Sequence, residues 1–246
     1  MTSKGPAKAG KRMLDRVAQV TKTGEATATL RHTMVERQLR PFDVTDVPLL
    51  ERFLETRREI FLPDSLASLA YSDMAISVKG ASGRKRTLLP PLVLARMLQS
   101  ADVKAKDRVL DIGGVGYSSA LLSGLADEVV ALECDSGLAA CAKAGLAALG
   151  CDNVRFELGP LEKGFAGGAP YDVIIIQGRV QAGLEALFEQ LTPDGRLLAI
   201  VTPEPRAGQQ VVRFERQEGR LAGELPLFSA TAPVLDGFEQ APAFSL

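Results

Sequence analysis

A glycine-rich turn between two acidic residues is the feature of this sequence best suited to ligand chemistry. In the stretch VLDIGGVGYSS, Asp111 is followed by three glycines, Gly113, Gly114 and Gly116. Glycine lacks a side chain and tolerates positive φ, so such a turn lets a ligand approach the backbone closely. Glu133 lies 22 residues after Asp111, at the end of the next apolar run. A carboxylate there can accept hydrogen bonds from both ribose hydroxyls, which predicts a nucleoside-containing cofactor.

The charge of this turn favours a cationic nucleoside over a dinucleotide. The dinucleotide pattern G-x-G-x-x-G is absent, and Asp111 would repel a pyrophosphate. S-adenosylmethionine carries a sulfonium and an ammonium group and has no phosphate. The turn and Glu133 therefore predict S-adenosyl-L-methionine as the cofactor. A domain of the same shape with an empty cleft is the alternative.

Apolar runs alternate with helical segments around the turn. Nearly continuous apolar strands are typical of a parallel sheet that is covered on both faces. Strands are predicted at 108–113, 128–133, 153–159, 171–178 and 195–202. Two further strand-like runs flank Gly219 and indicate a hairpin. The fold class predicted is α/β, a Rossmann-like class I methyltransferase fold with a mostly parallel sheet and a C-terminal antiparallel hairpin.

Composition divides the chain into three regions. Residues 1–32 are basic and poor in large apolar residues, which predicts a flexible N-terminal extension, or a basic arm that binds an acidic partner. Residues 33–91 have apolar residues at helical spacing, with breaks at Pro41 and Pro63, and end in a substrate-side loop. Residues 92–246 are predicted to form the cofactor-binding domain with its hairpin and tail.

The stretch SVKGASGRKRTLLPP, residues 77–91, is polar and contains glycine. It predicts a loop, and its consecutive cations Arg84, Lys85 and Arg86 indicate a solvated surface. A role of these cations in guiding substrate is the alternative.

Bulk composition excludes several classes of protein. The 246 residues are 46% hydrophobic and 24% charged, which is typical of a globular protein. A net charge of -1 gives no reason to expect nucleic acid or an anionic membrane as a partner. Three cysteines without CxxC spacing predict neither disulfides nor a metal site, and no apolar run reaches the roughly 18 to 20 residues that span a bilayer. A cytoplasmic protein is expected.

Five stretches make the chain resemble the protein-L-isoaspartate O-methyltransferases. They are MVERQLRPFDVTD, REIFLPDSLASLAYSD, VLDIGGVGYSSALLSGLADEVVALE, NVRFELGPLEKGFAGGAPYDVIIIQG and LFEQLTPDGRLLAIV, and the resemblance runs from about residue 33 to the C-terminus. It implies methyl transfer from S-adenosyl-L-methionine to the α-carboxyl of an isoaspartyl residue, the first step of protein repair. Isoaspartyl-containing proteins or peptides are the partners implied.

The resemblance also implies an acceptor site. Tyr71 and Asp73 match a Y-x-D element near the family's active-site loop, which implies a substrate-side role; a hydrogen bond that stabilises the fold is the alternative. The family usually has an active-site serine where this chain has Leu89, and Thr87 is the residue that can supply the missing hydroxyl.

Two departures affect the cofactor elements that the resemblance implies. The turn DIGGVGY is one residue shorter than the usual pattern. Leu158 and Gly159 take the adenine-binding position after the third strand, but the Gly-Asp pair usual in the family is Gly159-Pro160 here. Three functions stay open: an isoaspartyl carboxyl methyltransferase, a methyltransferase with another acceptor, and a binding protein that keeps the fold without catalysis.

Overall fold

The structure, a computed structural model, describes residues 24–203, 208–217 and 220–240. Its nine strands are β1 (Ile76–Lys79), β2 (Lys85–Leu88), β3 (Arg108–Ile112), β4 (Glu128–Glu133), β5 (Val154–Leu158), β6 (Tyr171–Arg179), β7 (Leu191–Val201), β8 (Gln210–Gln217) and β9 (Arg220–Ser229). β1 and β2 form a separate two-stranded sheet, and the other seven form one sheet in the order β5-β4-β3-β6-β7-β8-β9.

The large sheet confirms the predicted fold class. Its strands β3 to β7 pair in parallel, while β8 and β9 pair antiparallel at one edge. The strand order reverses between β3 and β6, and a crevice therefore opens beyond the carboxyl ends of these two strands. Ligands of open α/β sheets bind in such crevices.

Helices surround the sheet. They are α1 (24–34), α2 (Val47–Glu55), α3 (Pro91–Ala101), α4 (Tyr117–Leu122), α5 (Ser136–Ala148) and α6 (Glu185–Phe188). A π-helical turn covers Val35–Leu39, and 3₁₀ turns cover Arg40–Phe42, Arg58–Phe61, Asp64–Leu69, Leu161–Lys163 and Ala166–Gly168. Aspartates cap two of the helices: Asp46 accepts from the Leu49 N–H at 2.9 Å and Asp135 from the Gly137 N–H at 2.8 Å.

Alternate residues of β3, β4, β6 and β7 enter two separate cores, as the period of two in a strand requires. One core joins Val109 and Val129 to apolar residues of α2, α3, α4 and α5. The other joins Leu110 and Val130 to Leu161, to α6 and to the C-terminal residues Leu235 and Phe238. The C-terminal segment therefore covers one face of the sheet. Among the residues that the structure describes, no helix has the length and apolar character needed to cross a membrane.

Two segments of the chain differ from what the sequence predicted. The stretch 77–91 is largely a β-hairpin and not a loop, and the prediction that Arg86 lies on a solvated surface is wrong, because Arg86 is buried. Residues 24–34 are helical, and the Arg31 Nε donates to the Leu54 carbonyl at 2.6 Å, so the helical segment begins before residue 33. The rest of the predicted N-terminal extension and the hairpin turn at Gly219 lie outside the described residues.

The close packing around Gly116 predicts a large effect of a single methyl group. Gly116 has φ +93°, and a Cβ built there would lie 2.8 Å from Phe61 Cε1 and 2.9 Å from the Ala142 Cβ. Gly116→Ala should lower the free energy of unfolding by about 3 kcal/mol, from backbone strain and overpacking together. Gly150→Ala is the matched control, because Gly150 has φ +66° and nothing within 4 Å of its Cβ position. It should lose only about 1 kcal/mol. Equal losses in urea denaturation would contradict the packing argument.

Candidate functional site

The glycine turn lies at the carboxyl end of β3, at the crevice where the strand order reverses. Gly113, Val115 and Gly116 all have positive φ, at +74°, +52° and +93°. A β-branched residue is rarely found in this left-handed region, and such strain costs on the order of 1–3 kcal/mol. The shortened turn therefore holds a conformation that its surroundings must stabilise.

Asp111, the last residue but one of β3, is buried and accepts three hydrogen bonds from side chains of the protein. Its Oδ2 accepts from the Ser118 and Ser119 hydroxyls, each at 2.6 Å, and its Oδ1 accepts from Gln177 Nε2 at 3.0 Å. Burial raises the pKa of Asp111, and the three hydrogen bonds offset only part of this rise. The carboxylate ties the start of α4 and the end of β6 to β3.

Glu133, the last residue of β4, is paired with the guanidinium of Arg86 from the hairpin. The side chains are 2% and 1% exposed; Arg86 Nε lies 2.9 Å from Glu133 Oε2 and Nη2 lies 2.7 Å from Oε1. The backbone N–H groups of Cys134 and Asp135 also donate to Oε1, at 2.7 and 3.0 Å. Burial disfavours the charged form of Arg86, but the bonds to Glu133 outweigh it and raise the Arg86 pKa.

The C-terminal segment completes this arrangement. Arg86 Nη1 and Arg84 Nη1 both contact Asp236 Oδ2, at 3.0 and 2.9 Å. The adjacent Leu235 lies against the glycine turn, with its Cδ1 only 3.1 Å from where a Cβ on Gly113 would be. Leu235 therefore fills the space that the missing side chain of Gly113 leaves.

S-adenosyl-L-methionine does not fit the predicted cofactor residues as they are arranged. Asp111, Gly113, Gly114 and Glu133 lie together at the carboxyl ends of β3 and β4, as expected. Glu133, however, holds a guanidinium where ribose hydroxyls were predicted, and Leu235 covers Gly113. A Cβ on Gly114 would lie 2.0 Å from the Ser118 hydroxyl and 2.7 Å from Asp111 Oδ2, so these side chains require glycine there.

The two residues predicted beside adenine lie at the rim of the same region. Leu158 is 54% exposed at the end of β5, and its register partner in β4 is Glu133. The Gly159 N–H donates to the Glu133 carbonyl at 3.0 Å. Their part in cofactor binding stays a prediction.

On the acceptor side, a cavity of about 10 Å³ adjoins the glycine turn. It has room for about one water molecule. Thr87, Leu89, Gly114 and Gln177 are among its lining residues. Two of the four predicted acceptor residues thus lie together beside the turn.

The other two predicted acceptor residues are engaged elsewhere. The Tyr71 hydroxyl donates to Glu59 and accepts from Arg31 Nη1 at 3.2 Å. Asp73 is exposed, and its Oδ1 accepts from the Leu92 N–H at 3.4 Å, at the start of α3. Neither lines the cavity.

Arg58 lines the same cavity and was not among the predicted site residues. It is 0% exposed, its Nη2 donates to the Leu89 carbonyl at 2.8 Å, and its guanidinium lies 4.7 Å from the centre of the Tyr117 ring. Its Nε and Nη1 make no hydrogen bond of normal geometry, and it forms no ion pair, within the described part of the chain. Burial lowers the pKa of Arg58. The nearby Tyr117 side chain favours the charged guanidinium but does not cancel this shift. No sequence spacing distinguishes this arginine from a surface one.

Within the described ranges, no group of three or more histidine, cysteine, aspartate or glutamate side chains is arranged to hold a metal ion.

Comparison with known sequences gives consistent matches. Residues 31–227 match the family described as Protein-L-isoaspartate(D-aspartate) O-methyltransferase. The chain is 35% identical over 190 residues to Protein-L-isoaspartate O-methyltransferase 1 of Rhodopseudomonas palustris (strain HaA2), which covers 77% of this chain and 76% of the relative. It is 37% identical over 190 residues to a Protein-L-isoaspartate O-methyltransferase of Bordetella avium (strain 197N), covering 76% and 69%.

Solved structures agree with these matches. A structure titled Protein-L-isoaspartate O-methyltransferase superposes with a TM-score of 0.74 at 26% identity, over 84% of this chain. This chain spans 66% of that solved chain, just under two thirds. A Plasmodium falciparum structure, solved in complex with S-adenosyl-L-homocysteine, has a TM-score of 0.68 over 85% of this chain and 98% of that chain. Its identity of 16% supports the fold alone.

The buried charge of Asp111 predicts a distinct pH dependence of stability. Because the folded pKa lies above the model-compound value of 3.8, the folded state binds this proton more tightly than the unfolded state. The stabilisation is complete at low pH and is lost as pH rises through the folded pKa. Asp111→Asn does not titrate. Urea denaturation from about pH 4 to about pH 7 should therefore show the wild type losing stability relative to Asp111→Asn.

Asp111→Ala separates this charge effect from the loss of hydrogen bonds. It leaves the donors from Ser118, Ser119 and Gln177 without their acceptor, so it should be less stable than Asp111→Asn at every pH, by about 1–3 kcal/mol. If the wild type instead became more stable relative to Asp111→Asn as the pH rises, the raised pKa of Asp111 would be contradicted.

Proposed function

The chain belongs to the protein-L-isoaspartate O-methyltransferase family, and from this premise we propose that it methylates the α-carboxyl of isoaspartyl residues in damaged proteins. Enzymes of this family use S-adenosyl-L-methionine, which supplies the methyl group. Isoaspartyl-containing proteins and peptides are the partners that follow from this activity.

The observation that carries the proposal is the unpaired charge of Arg58. A buried guanidinium without an anion is costly, and its cost falls when a carboxylate pairs with it. Among the described residues, Nε and Nη1 of Arg58 have no acceptor, and they belong to a side chain that lines the cavity beside the glycine turn. A carboxylate oxygen can accept a charge-assisted hydrogen bond from either of these nitrogens. An anion at this place, such as an isoaspartyl α-carboxylate, would meet these two donors, and the cavity of about 10 Å³ must widen to admit it.

Because the acceptor is a carboxylate, methyl transfer does not require the family's active-site serine, which is Leu89 in this chain. A carboxylate is ionised near neutral pH and is itself the nucleophile, so methyl transfer to it needs positioning and not a general base. Leu89 contributes an apolar wall and holds Arg58 through its carbonyl at 2.8 Å. Thr87 lines the cavity together with Arg58, and we expect its hydroxyl to bind the acceptor; Tyr117 and Ser118 line the same cavity, and the Ser118 hydroxyl donates to Asp111.

A non-catalytic binding protein is the second candidate, and the pairing of Glu133 with Arg86 favours it. That ion pair uses the carboxylate on which ribose binding was predicted. Methyl transfer by the wild type to an isoaspartyl peptide, and none to the matching aspartyl peptide, separates the two candidates.

We keep the cytoplasm as the proposed location. Cys134, Cys141 and Cys151 are all free thiols in the structure, which suits a reducing compartment.

Removal of the Arg58 charge should weaken use of the acceptor. Arg58→Met should lower kcat/KM for an isoaspartyl peptide by about 100-fold, mainly through a higher KM, since a buried charge pair with the carboxylate is lost. Arg58→Lys should recover part of the loss, because it restores the charge without the planar guanidinium and its several donors. Arg52→Met is the matched control: Arg52 is partly buried between α2 and α4 and does not line the cavity.

Circular dichroism melting must accompany the kinetics, because Arg58 also binds the Leu89 carbonyl. A folded Arg58→Met variant with an unchanged KM would refute the role of Arg58. If Arg58→Met lowered kcat but left KM unchanged, and Arg58→Lys recovered no activity, the role of Arg58 would be purely structural.

A further inference from the structure

The C-terminal segment of residues 230–240, here called the tail, crosses the crevice at the carboxyl end of β6. The Arg179 N–H donates to the Pro233 carbonyl and the Leu235 N–H donates to the Arg179 carbonyl, both at 2.9 Å. The Gln181 N–H donates to the Phe238 carbonyl at 2.9 Å. Leu235 and Phe238 are buried. The tail is therefore anchored by backbone hydrogen bonds on either side of Leu235.

Two consecutive tail residues close the two parts of the predicted cofactor site, which are the glycine turn and the end of β4. Leu235 covers the glycine turn at Gly113, and Asp236 contacts Arg86 at 3.0 Å. The same guanidinium holds Glu133 through two hydrogen bonds. Arg86 thus joins the tail to the end of β4, and a ligand at Glu133 must displace it.

We infer that the tail and the β1–β2 hairpin form a latch that competes with S-adenosyl-L-methionine for its site, through Leu235 at the glycine turn and Arg86 at Glu133. This inference rests on the proposed function, because it takes the closed site to be a cofactor site. The latch holds the protein in a closed state, and the cofactor binds only the open state.

The contacts of the latch differ in how deeply they are buried, and this difference indicates which contact opens first. The Arg86 and Glu133 side chains are 1% and 2% exposed, whereas Asp236 is 33% exposed and its second partner, Arg84, is 51% exposed. Exposed ion pairs are weak, and buried ones are costly to break unless another group replaces the lost partner. The tail therefore releases first at Asp236, and Arg86 leaves when ribose hydroxyls replace its bonds to Glu133.

The latch predicts that weakening it tightens cofactor binding. The apparent dissociation constant equals the intrinsic one divided by the fraction of open molecules. Asp236→Asn and Leu235→Ala each weaken the closed state and leave Glu133 and the glycine turn intact. In calorimetry with S-adenosylhomocysteine, each should bind about threefold more tightly than the wild type; if about one wild-type molecule in ten is open, complete opening would give about a tenfold gain. Arg86→Ala should come closest to that limit, because it frees Glu133 entirely.

Matched control variants distinguish release of the latch from a general loss of stability of the fold. Arg196→Met breaks another largely buried ion pair, that with Asp107 at 2.7 Å, at the opposite end of β3. Leu161→Ala truncates a buried leucine of the same core as Leu235. Both should bind S-adenosylhomocysteine as the wild type does. If Arg86→Ala fails to fold because Glu133 is left unpaired, the Asp236 and Leu235 variants still decide the question.

Hydrogen exchange gives an independent readout on the wild type. Saturating S-adenosylhomocysteine should speed exchange at the Leu235 and Arg179 amides, because the bonds between the tail and β6 open. Slower exchange there would overturn the latch, since the tail would then be part of the bound site. Equal or weaker binding by the Asp236 and Leu235 variants would also overturn it.

The latch and the proposed function fail in different ways. Tighter binding of S-adenosylhomocysteine by the variants, without methyl transfer to an isoaspartyl peptide, would support the latch and refute the function. Methyl transfer by the wild type, with the same affinity in all variants, would support the function and refute the latch. No binding by any folded variant would refute both.

Discussion

The buried ion pair between Arg86 and Glu133 is the interaction on which the arrangement of the site depends. Two opposite charges that are almost wholly removed from water require each other, because either one alone would be strongly disfavoured. The pair fixes the hairpin against the end of β4, and Arg86 extends the link to Asp236 in the tail. Three segments that are distant in the chain are thus held at one point, above the crevice where a Rossmann-like sheet binds its ligand.

The two buried arginines give the two sides of the site opposite character. On the cofactor side, Arg86 is fully paired, and the carboxylates Glu133 and Asp111 bond to the protein's own groups. On the acceptor side of the proposed enzyme, Arg58 keeps two nitrogens without acceptors in the part of the chain that the structure describes. That side thus retains donors for an anion, while the charged groups of the cofactor side bond to one another and to the backbone.

Local pattern and tertiary contact account for different parts of this result. The strands of the large sheet were predictable because buried parallel strands are apolar along their whole length. The β1–β2 hairpin was missed because Arg86 takes an inward position, opposite Val78 and two residues before Leu88, and an arginine in that pattern indicates a polar, exposed segment. Its partner is 47 residues away, a separation at which no sequence periodicity operates.

The sequence by itself determined the α/β fold, the position of the glycine turn at the end of β3, and the family, since these depend on periodicity and on motifs in a fixed order. Only the tertiary structure decided whether the predicted site is open. It brought Leu235 and Asp236 from the C-terminal tail onto the turn and onto Arg86, and it left Arg58 unpaired beside Leu89. The reason is that burial and charge pairing are properties of three-dimensional neighbours, and residues far apart along a chain become neighbours only when it folds.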